Sequence, residues 1–591
     1  MNPSSSTYGR VEPVLERGRL RVLGMAFFLM LGLLIFQLGK KQIFEYDHFK
    51  ALAYQQQVAE YTNTAERGFI YASDKSGANF GSIDGKKIGN LYPLAINITR
   101  YDISAVPNNV VDPEKTVEKL ASVINDINKE ELVTKLSTDK LYLPPIKKSV
   151  EKEVADAVKN LGLKGVMVVP RSVRYYPEGN MAAQLIGFVN HEGEGAAGLE
   201  MYYNNELKGI PGLTHGLKDT FGRIIAGMDS SMAQDGVNLV LTLDSTVQFI
   251  VERELKDAIE KYGAQGGSVI VVEPKSGRIL AMASEPGYNP NEFNKLPQEE
   301  QWKFVNPVVT NAWEPGSIMK PVIMAAALNE GKIEPDTIPE DLPGGFSNQV
   351  TIDGYEIHNA EDRAYGYQTM TQVLERSDNI GMVWVADKLG NDTMARYLSE
   401  FGFGSKTGID IGAEGVGKLL DSKRWRNVHR ATISFGQGIS VTPIQMVMAY
   451  SVLANHGKLV QPHLLDRVIS SSGEEKKIEA KEVREVISAE TADEVKEMLV
   501  NVVEKGHGKK AKVEGFRVAG KTGTAQVAKE SGGYEESAHI GSFIGYAPAD
   551  DPKFVMLVKL DRPTNVEFAE SSAAPTFGAI AKWLLNNYYV D

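Results

Sequence analysis

Residues 22–38 read VLGMAFFLMLGLLIFQL, an uncharged run whose one polar side chain is Gln37. At 1.5 Å per residue a helix over this run is roughly 25 Å long, slightly short of a bilayer core. Its flanks make up the difference. Arg17, Arg19 and Arg21 precede it and Lys40 and Lys41 follow, and such side chains reach outward to the headgroups. A cleaved signal peptide would end on small residues, whereas this run ends on Gly39-Lys40-Lys41-Gln42. A buried core helix would not adjoin a polar tail on one side. The run therefore reads as an uncleaved membrane anchor. Basic residues are denser before it (Arg10, Arg17, Arg19, Arg21), which places the N-terminus in the cytoplasm and the body outside. With no second run of this kind, the chain reads as a single-pass protein.

Composition limits what the body can do. Of 591 residues, 42% are apolar and 24% charged, an ordinary globular balance that excludes wholesale disorder. The net charge of −12 argues against a protein that binds nucleic acid mainly by electrostatics. There is no cysteine, so disulfide scaffolds, thiolate metal sites and cysteine nucleophiles are all excluded. That absence also fits an oxidising, extracytoplasmic location.

Between residue 42 and about 245, short extended runs alternate with helical patterns. Arg67–Tyr71, Ala95–Ser104, Val166–Val169 and Val237–Leu243 predict strands. Pro113–Ile127 and Ser149–Leu161 predict helices with solvated lysine-rich faces. From 246 the pattern changes. An amphipathic helix, Val247–Tyr262, precedes a hairpin of Gly267–Val272 and Arg278–Ala283. Its turn is Glu273-Pro274-Lys275-Ser276-Gly277. Three more strands are predicted at Phe516–Val527, Ile540–Tyr546 and Phe554–Leu560, then a closing helix over Ala573–Asn586. One antiparallel sheet with helices packed on it fits this order.

Nucleophilic catalysis without cysteine requires Ser, Thr or Lys and a base within hydrogen-bond reach. Ser-x-x-Lys on a helix supplies both on one face. The pattern occurs three times, at Ser137–Lys140, Ser149–Lys152 and Ser317–Lys320. The first lies in a polar connection and the second on a charged helix. The third lies in Trp313-Glu314-Pro315-Gly316-Ser317-Ile318-Met319-Lys320-Pro321 and runs into apolar Val322–Leu328. The Pro-Gly break starts a helix at the serine, where backbone N–H groups are free. Pro321 offers no N–H to the Ser317 carbonyl, so that first turn should be irregular. Lys-Ser/Thr-Gly occurs four times, at Lys75, Lys275, Lys406 and Lys521. The first three read as turns. Lys521 alone stands inside a strand-like run, Val518–Val527, with Gly520 and Gly523 beside it. Glycine in a strand marks a place where another backbone comes close, here an edge strand for a ligand. Between these lies Ser377-Asp378-Asn379, which alone reads as a helix N-cap. In this order and spacing, Ser-x-x-Lys, Ser-x-Asn and Lys-Thr-Gly match the signature of penicillin-binding proteins and class A β-lactamases.

Further motifs extend the likeness over nearly the whole chain. Arg67-Gly68-Phe69-Ile70-Tyr71, Arg174-Tyr175-Tyr176-Pro177, Leu185–Val189 and Gly198-Leu199-Glu200 resemble, in order, motifs of a class B, monofunctional penicillin-binding protein, a peptidoglycan DD-transpeptidase. Tyr71-Ala72-Ser73-Asp74 departs from that family, which usually places Asp directly after the first motif. Glu314-Pro315-Gly316-Ser317 resembles the division (septal) branch more than the elongation branch. The resemblance implies an α+β fold: one N-terminal transmembrane helix, an elongated α/β pedestal, and a transpeptidase domain of antiparallel sheet covered by helices, like the serine β-lactamases. The expected limits are a cytoplasmic tail 1–21, an anchor 22–38, a pedestal of the dimerisation type 39–245 and a transpeptidase domain 246–591. Neither a glycosyltransferase domain nor a C-terminal accessory repeat is recognisable.

The resemblance also implies roles. Ser317 is the expected nucleophile toward D-Ala-D-Ala, Lys320 its base, Ser377 a proton relay and Asn379 a holder of the substrate amide. Lys521 adds positive charge. Thr522, Gly523 and Thr524 are expected to bind substrate, and the backbone N–H groups of Ser317 and Thr524 to form an oxyanion hole. No metal or organic cofactor is expected. Expected partners are peptidoglycan stem peptides, lipid-linked or in nascent glycan, β-lactams as covalent inhibitors, a polytopic glycosyltransferase and small division proteins. The rival readings are an elongation-type transpeptidase, a β-lactamase or β-lactam sensor, and an inactive scaffold of the division machinery. Carboxypeptidase side activity is compatible with the same residues.

Overall fold

The computed structural model describes residues 14–50, 58–75, 82–83, 86–87, 91–140, 143–218, 224–529 and 533–590. Most of the expected tail, and Ser76-Gly77 of one expected turn, lie outside the described residues. The chain divides into two compact units, residues 1–65 with 210–234, and residues 66–209 with 235–591.

In the first unit the apolar run forms helix α1 (Val14–Gly39). Residues 18–44 are long and apolar enough to cross a membrane, and none of the span is buried in protein. This unit also holds a three-stranded antiparallel sheet of Val58–Asn63, Gly212–Lys218 and Ile224–Ser230. Alternation along these strands is broken by glycine and polar residues, so the sequence pattern does not announce them.

Among the described residues the second unit contains a seven-stranded sheet, a five-stranded sheet and three two-stranded ones. Strands β1 (Ile70–Ser73), β2 (Tyr92–Ala105), β3 (Val166–Tyr175) and β4 (Asn238–Asp244) belong to the first. β1 pairs parallel with β4 and antiparallel with β2, while β3 pairs with β2 over ten residues. All four predicted strands are present. The helix predicted at Pro113–Ile127 ends at Ala121, and a second one, Lys129–Leu136, follows, capped by the Asn128 side chain. The helix predicted from Ser149 starts at Lys152. Ser149 instead lies in a short strand with φ +55°, so Ser149 and Lys152 do not share a helix face.

One cluster joins residues of three distant motifs. The Glu200 carboxylate is fully buried and accepts from Arg67 Nε (2.8 Å) and Arg174 Nε (2.6 Å). Arg174 Nη1 also donates to Gly68 O and Asn97 Oδ1, and Tyr176 Oη donates to Glu200 at 3.4 Å. Gly68 is required by close packing: a Cβ there would lie 1.8 Å from the Val237 carbonyl oxygen.

The second sheet is five-stranded and antiparallel. Its strands are β5 (Gly266–Val272), β6 (Ile279–Glu285), β7 (Ala519–Ala528), β8 (Tyr534–Ala547) and β9 (Phe554–Asp561), in the order β6-β5-β9-β8-β7. Alternation in β5 explains the layering. Val269 and Val271 face α2 (Ser245–Tyr262) and the closing helix Ala573–Trp583, whereas Ile270 and Val272 face the larger helical layer. The Asp244 side chain caps α2 by accepting from Thr246 and Val247 N–H. Helix Pro443–Ala454 is buried along its whole length, as a helix apolar on every face except at Gln445 and Ser451 requires. β7 pairs with β8 alone and so forms an edge of the sheet.

Candidate active site

The Pro315-Gly316 break leads into a tight turn, Gly316–Met319, and α3 (Lys320–Asn329) starts only at the lysine. The Ser317 carbonyl accepts from Lys320 N–H, three residues on, because Pro321 at the fourth position has no N–H to give. The turn is held on several sides. Gly316 N–H donates to Gly436 O (3.1 Å), Tyr450 Oη donates to Ile318 O (2.8 Å), and the Glu314 carboxylate accepts from Gly438 N–H and Tyr534 Oη. Gly436 has φ +82°, and a Cβ there would lie 2.2 Å from Gly316 O, so this contact requires glycine.

Ser377-Asp378-Asn379 sits where one helix ends and α4 (Asn379–Leu389) begins. The cap reading holds for Asp378, while Ser377 and Asn379 both contact Lys320. Asp378 is the N-cap, its Oδ1 accepting from Gly381 N–H at 3.0 Å. Ser377 has φ +56°, a left-handed conformation that costs about 1 kcal/mol or more for a non-glycine residue. That turn aims its hydroxyl and carbonyl at Lys320.

Four of the five expected catalytic side chains meet. Lys320 Nζ, fully buried, donates to Ser377 O (2.5 Å), Ser377 Oγ (3.1 Å) and Asn379 Oδ1 (2.8 Å). Lys521 Nζ, also fully buried, donates to the same Ser377 Oγ (3.0 Å) and to Thr522 O (3.3 Å). Asn379 Nδ2 is held by His358 O (2.9 Å). Ser317, partly exposed, lies one turn before Lys320, and among the described residues its Oγ has no hydrogen-bond partner. β7 passes directly against this turn. A Cβ on Gly523 would lie 3.0 Å from Pro315 O, and one on Gly316 would lie 3.3 Å from Thr524 O. Thr522 is buried, whereas Thr524 is exposed and its Oγ1 accepts from Ala569 N–H.

Burial and the neighbouring Lys521 cation hold the Lys320 amine well below the ordinary lysine value, and the Asp378 carboxylate opposes them. Burial lowers Lys521 to about 7. Burial raises Asp378, its helix-cap hydrogen bond and Lys320 pulling the other way. A near-neutral amine beside a serine hydroxyl is the chemistry of proton transfer and acyl transfer.

Sequence reasoning passed over three supporting residues. Asn359, buried, accepts from Asn379 and Ile380 N–H (2.7 and 3.3 Å), capping α4 a second time. Gln368, buried, donates to Asp378 Oδ2 and accepts from Arg376 Nη1. Tyr450 steadies the nucleophile's turn. No motif marks them, since each lies outside the local pattern of the group it holds, from ten residues away for Gln368 to 132 for Tyr450.

Comparison with known proteins finds relatives over most of the chain. Residues 267–582 match the model of the penicillin-binding protein transpeptidase domain, and residues 62–241 that of the penicillin-binding protein dimerisation domain. Stage V sporulation protein D of Bacillus subtilis is 38% identical over 83% of this chain and 76% of its own length. The peptidoglycan D,D-transpeptidase FtsI of Escherichia coli is 31% identical over 84% of this chain and 82% of its own. A crystal structure of penicillin-binding protein 3 from Mycobacterium tuberculosis, complexed with aztreonam, covers 90% of this chain and 98% of its own, with TM-score 0.68 and 26% identity.

Proposed function

The chain belongs to the class B penicillin-binding proteins, the peptidoglycan D,D-transpeptidases, and from that premise we propose that it cross-links peptidoglycan through Ser317. Ser317 Oγ attacks the carbonyl of the penultimate D-Ala of a stem peptide, and its proton passes to the neutral Lys320 amine. The C–N bond to the terminal D-Ala breaks, and Ser377 Oγ relays a proton to the departing amine. The amine of a second stem peptide then attacks the Ser317 ester, forms the cross-link and returns a proton to the serine. β-Lactams acylate the same oxygen.

One observation carries this reading most. Ser377 Oγ lies within hydrogen-bond distance of two fully buried lysine amines, one of which, Lys320, stands one turn after Ser317. That arrangement supplies a base and a proton path without histidine. The close approach of β7 to the Ser317 turn favours an oxyanion hole from the Ser317 and Thr524 N–H groups, each such donor lowering the barrier by about 3 kcal/mol in comparable acyl transfer. Thr522, Gly523 and Thr524 lie along an edge strand suited to a substrate backbone. Lys521 supplies positive charge toward the substrate carboxylate.

The N-terminal apolar helix makes this a single-pass membrane protein. On our reading its arginine-rich flank is cytoplasmic and the transpeptidase domain, from about 246, lies outside. Residues 39–245 form the pedestal, suited to contact with a polytopic glycosyltransferase and small division proteins. Glu314-Pro315-Gly316-Ser317 and the likeness to FtsI favour septal synthesis.

The test is D-Ala release from a stem pentapeptide ending in D-Ala-D-Ala, with an acceptor amine present. Wild type should release D-Ala and form the new amide, and Ser317→Ala should lose both by about 10³-fold or more. Release undiminished in Ser317→Ala would overturn the assignment.

A further inference from the structure

The two lysines that meet at Ser377 bring two ionisable amines to a shared neutral hydroxyl. Asp378, at the head of α4, stands between Ser377 and Asn379, both of which accept from Lys320 Nζ, and its carboxylate opposes the effect of burial and of Lys521, from β7, on that amine. Asp378 is fully buried, and no cation forms an ion pair with it among the described residues. Its two oxygens are nonetheless fixed. Oδ1 caps α4 through Gly381 N–H, and Oδ2 accepts from Gln368 Nε2, whose own oxygen accepts from Arg376. A helix cap needs no charge, since serine or asparagine serves equally well. A buried carboxylate at this position therefore does something a cap alone does not require.

Resting on the reading of Lys320 as the base, we propose that Asp378 is a positioning residue with a second, electrostatic role. Its α4 cap and Gln368 contact hold Ser377 in the left-handed turn that presents its hydroxyl to both lysines, and its negative charge sets the pH range in which Lys320 is neutral. The sign follows directly. A negative charge favours protonated lysine, so it delays loss of that proton to higher pH. Removing the charge while keeping the cap frees the base at lower pH. The Gln368–Arg376 chain keeps the carboxylate in place, so its loss should disturb position without altering charge.

The experiment measures the acylation rate by fluorescent penicillin against pH, on the full chain in detergent. It compares wild type with Asp378→Asn, Asp378→Ser, Asp378→Glu and Gln368→Ala. The two neutral variants both retain a capping side chain, so failure of one to fold leaves the other. In them the rising acid limb should move to lower pH by at least about half a unit, a ratio to wild type that grows about threefold or more as pH falls through the limb. Asp378→Glu and Gln368→Ala should lose rate, with the limb unmoved. A purely structural role would lower the rate of Asp378→Asn and Asp378→Ser by the same factor at every pH. That result, or a limb shifted to higher pH, overturns the proposal. Wild type that is not acylated at all would instead overturn the reading of Ser317 and Lys320.

Discussion

Arg67 and Arg174 close on the carboxylate of Glu200, while Lys320 and Lys521 close on the hydroxyl of Ser377. Both clusters place two basic side chains around one small acceptor away from water. In the first, the acceptor carries the opposite charge, and oxygens of Gly68, Asn97 and Asn204 take further guanidinium donors, Arg174 Nη2 having no partner among the described residues. Planar, permanently charged arginines suit that task. In the second, the acceptor is neutral, and lysines are used, whose charge can be shed. The first cluster ties the motifs of residues 67–200 into one structure. The second holds its lysines in a state that destabilises their protonated form, and that is what equips one of them to accept a proton. Stability and function are thus separated between two sites of similar construction.

The largest effect should come from removing the neutralising charge. Glu200→Gln leaves two buried guanidinium groups without a counter-ion, and breaking such a pair costs about 3–5 kcal/mol. Urea denaturation should show that loss. A change below about 1 kcal/mol would mean the cluster is not structural.

The opposite outcome is expected for the lysines. Lys521→Met should lower the rate of penicillin acylation by about 10²-fold, yet raise the melting midpoint, because an unneutralised buried amine is replaced by an apolar chain of similar length. Linkage fixes the pH dependence. With its folded value near 7, Lys521 is deprotonated in the folded protein at pH values where the unfolded chain still binds the proton. Its contribution to stability therefore rises with pH from about 7 to the ordinary value of about 10.4. That rise should be smaller in Lys521→Met. A variant that melts lower than wild type, with an unchanged pH slope, would erase the contrast.

Much of the site was legible in the chain because its chemistry demands particular residues at short spacing. Ser317 and Lys320 are set by one helical turn, and the irregular start of α3 follows from Pro321 alone. The edge position of β7 was foreshadowed by Gly520 and Gly523, whose missing side chains make room for Phe543 and for the Ser317 turn. Less legible was anything that depends on distant segments meeting. Glu200 stood in a recognisable motif, but its role appears only when Arg67 and Arg174 arrive beside it. Asp378 read as a helix cap, which it is, and its proximity to the lysines lies beyond any local pattern. The helix Lys129–Leu136 was missed, although Asn128 as a cap with Leu132 and Leu136 four apart was a signal for it.

The most direct measurement of the central claim is the acylation rate of the wild-type protein by a labelled penicillin between pH 5 and 11, each adduct mapped to its residue by mass spectrometry. The two lysines share one hydroxyl, so they titrate as a coupled unit. The adduct should be on Ser317, and the rate should rise through neutral pH and level off well below the ordinary lysine value of about 10.4. A rate that keeps climbing about tenfold per unit to pH 10, or an adduct on another residue, would contradict the account.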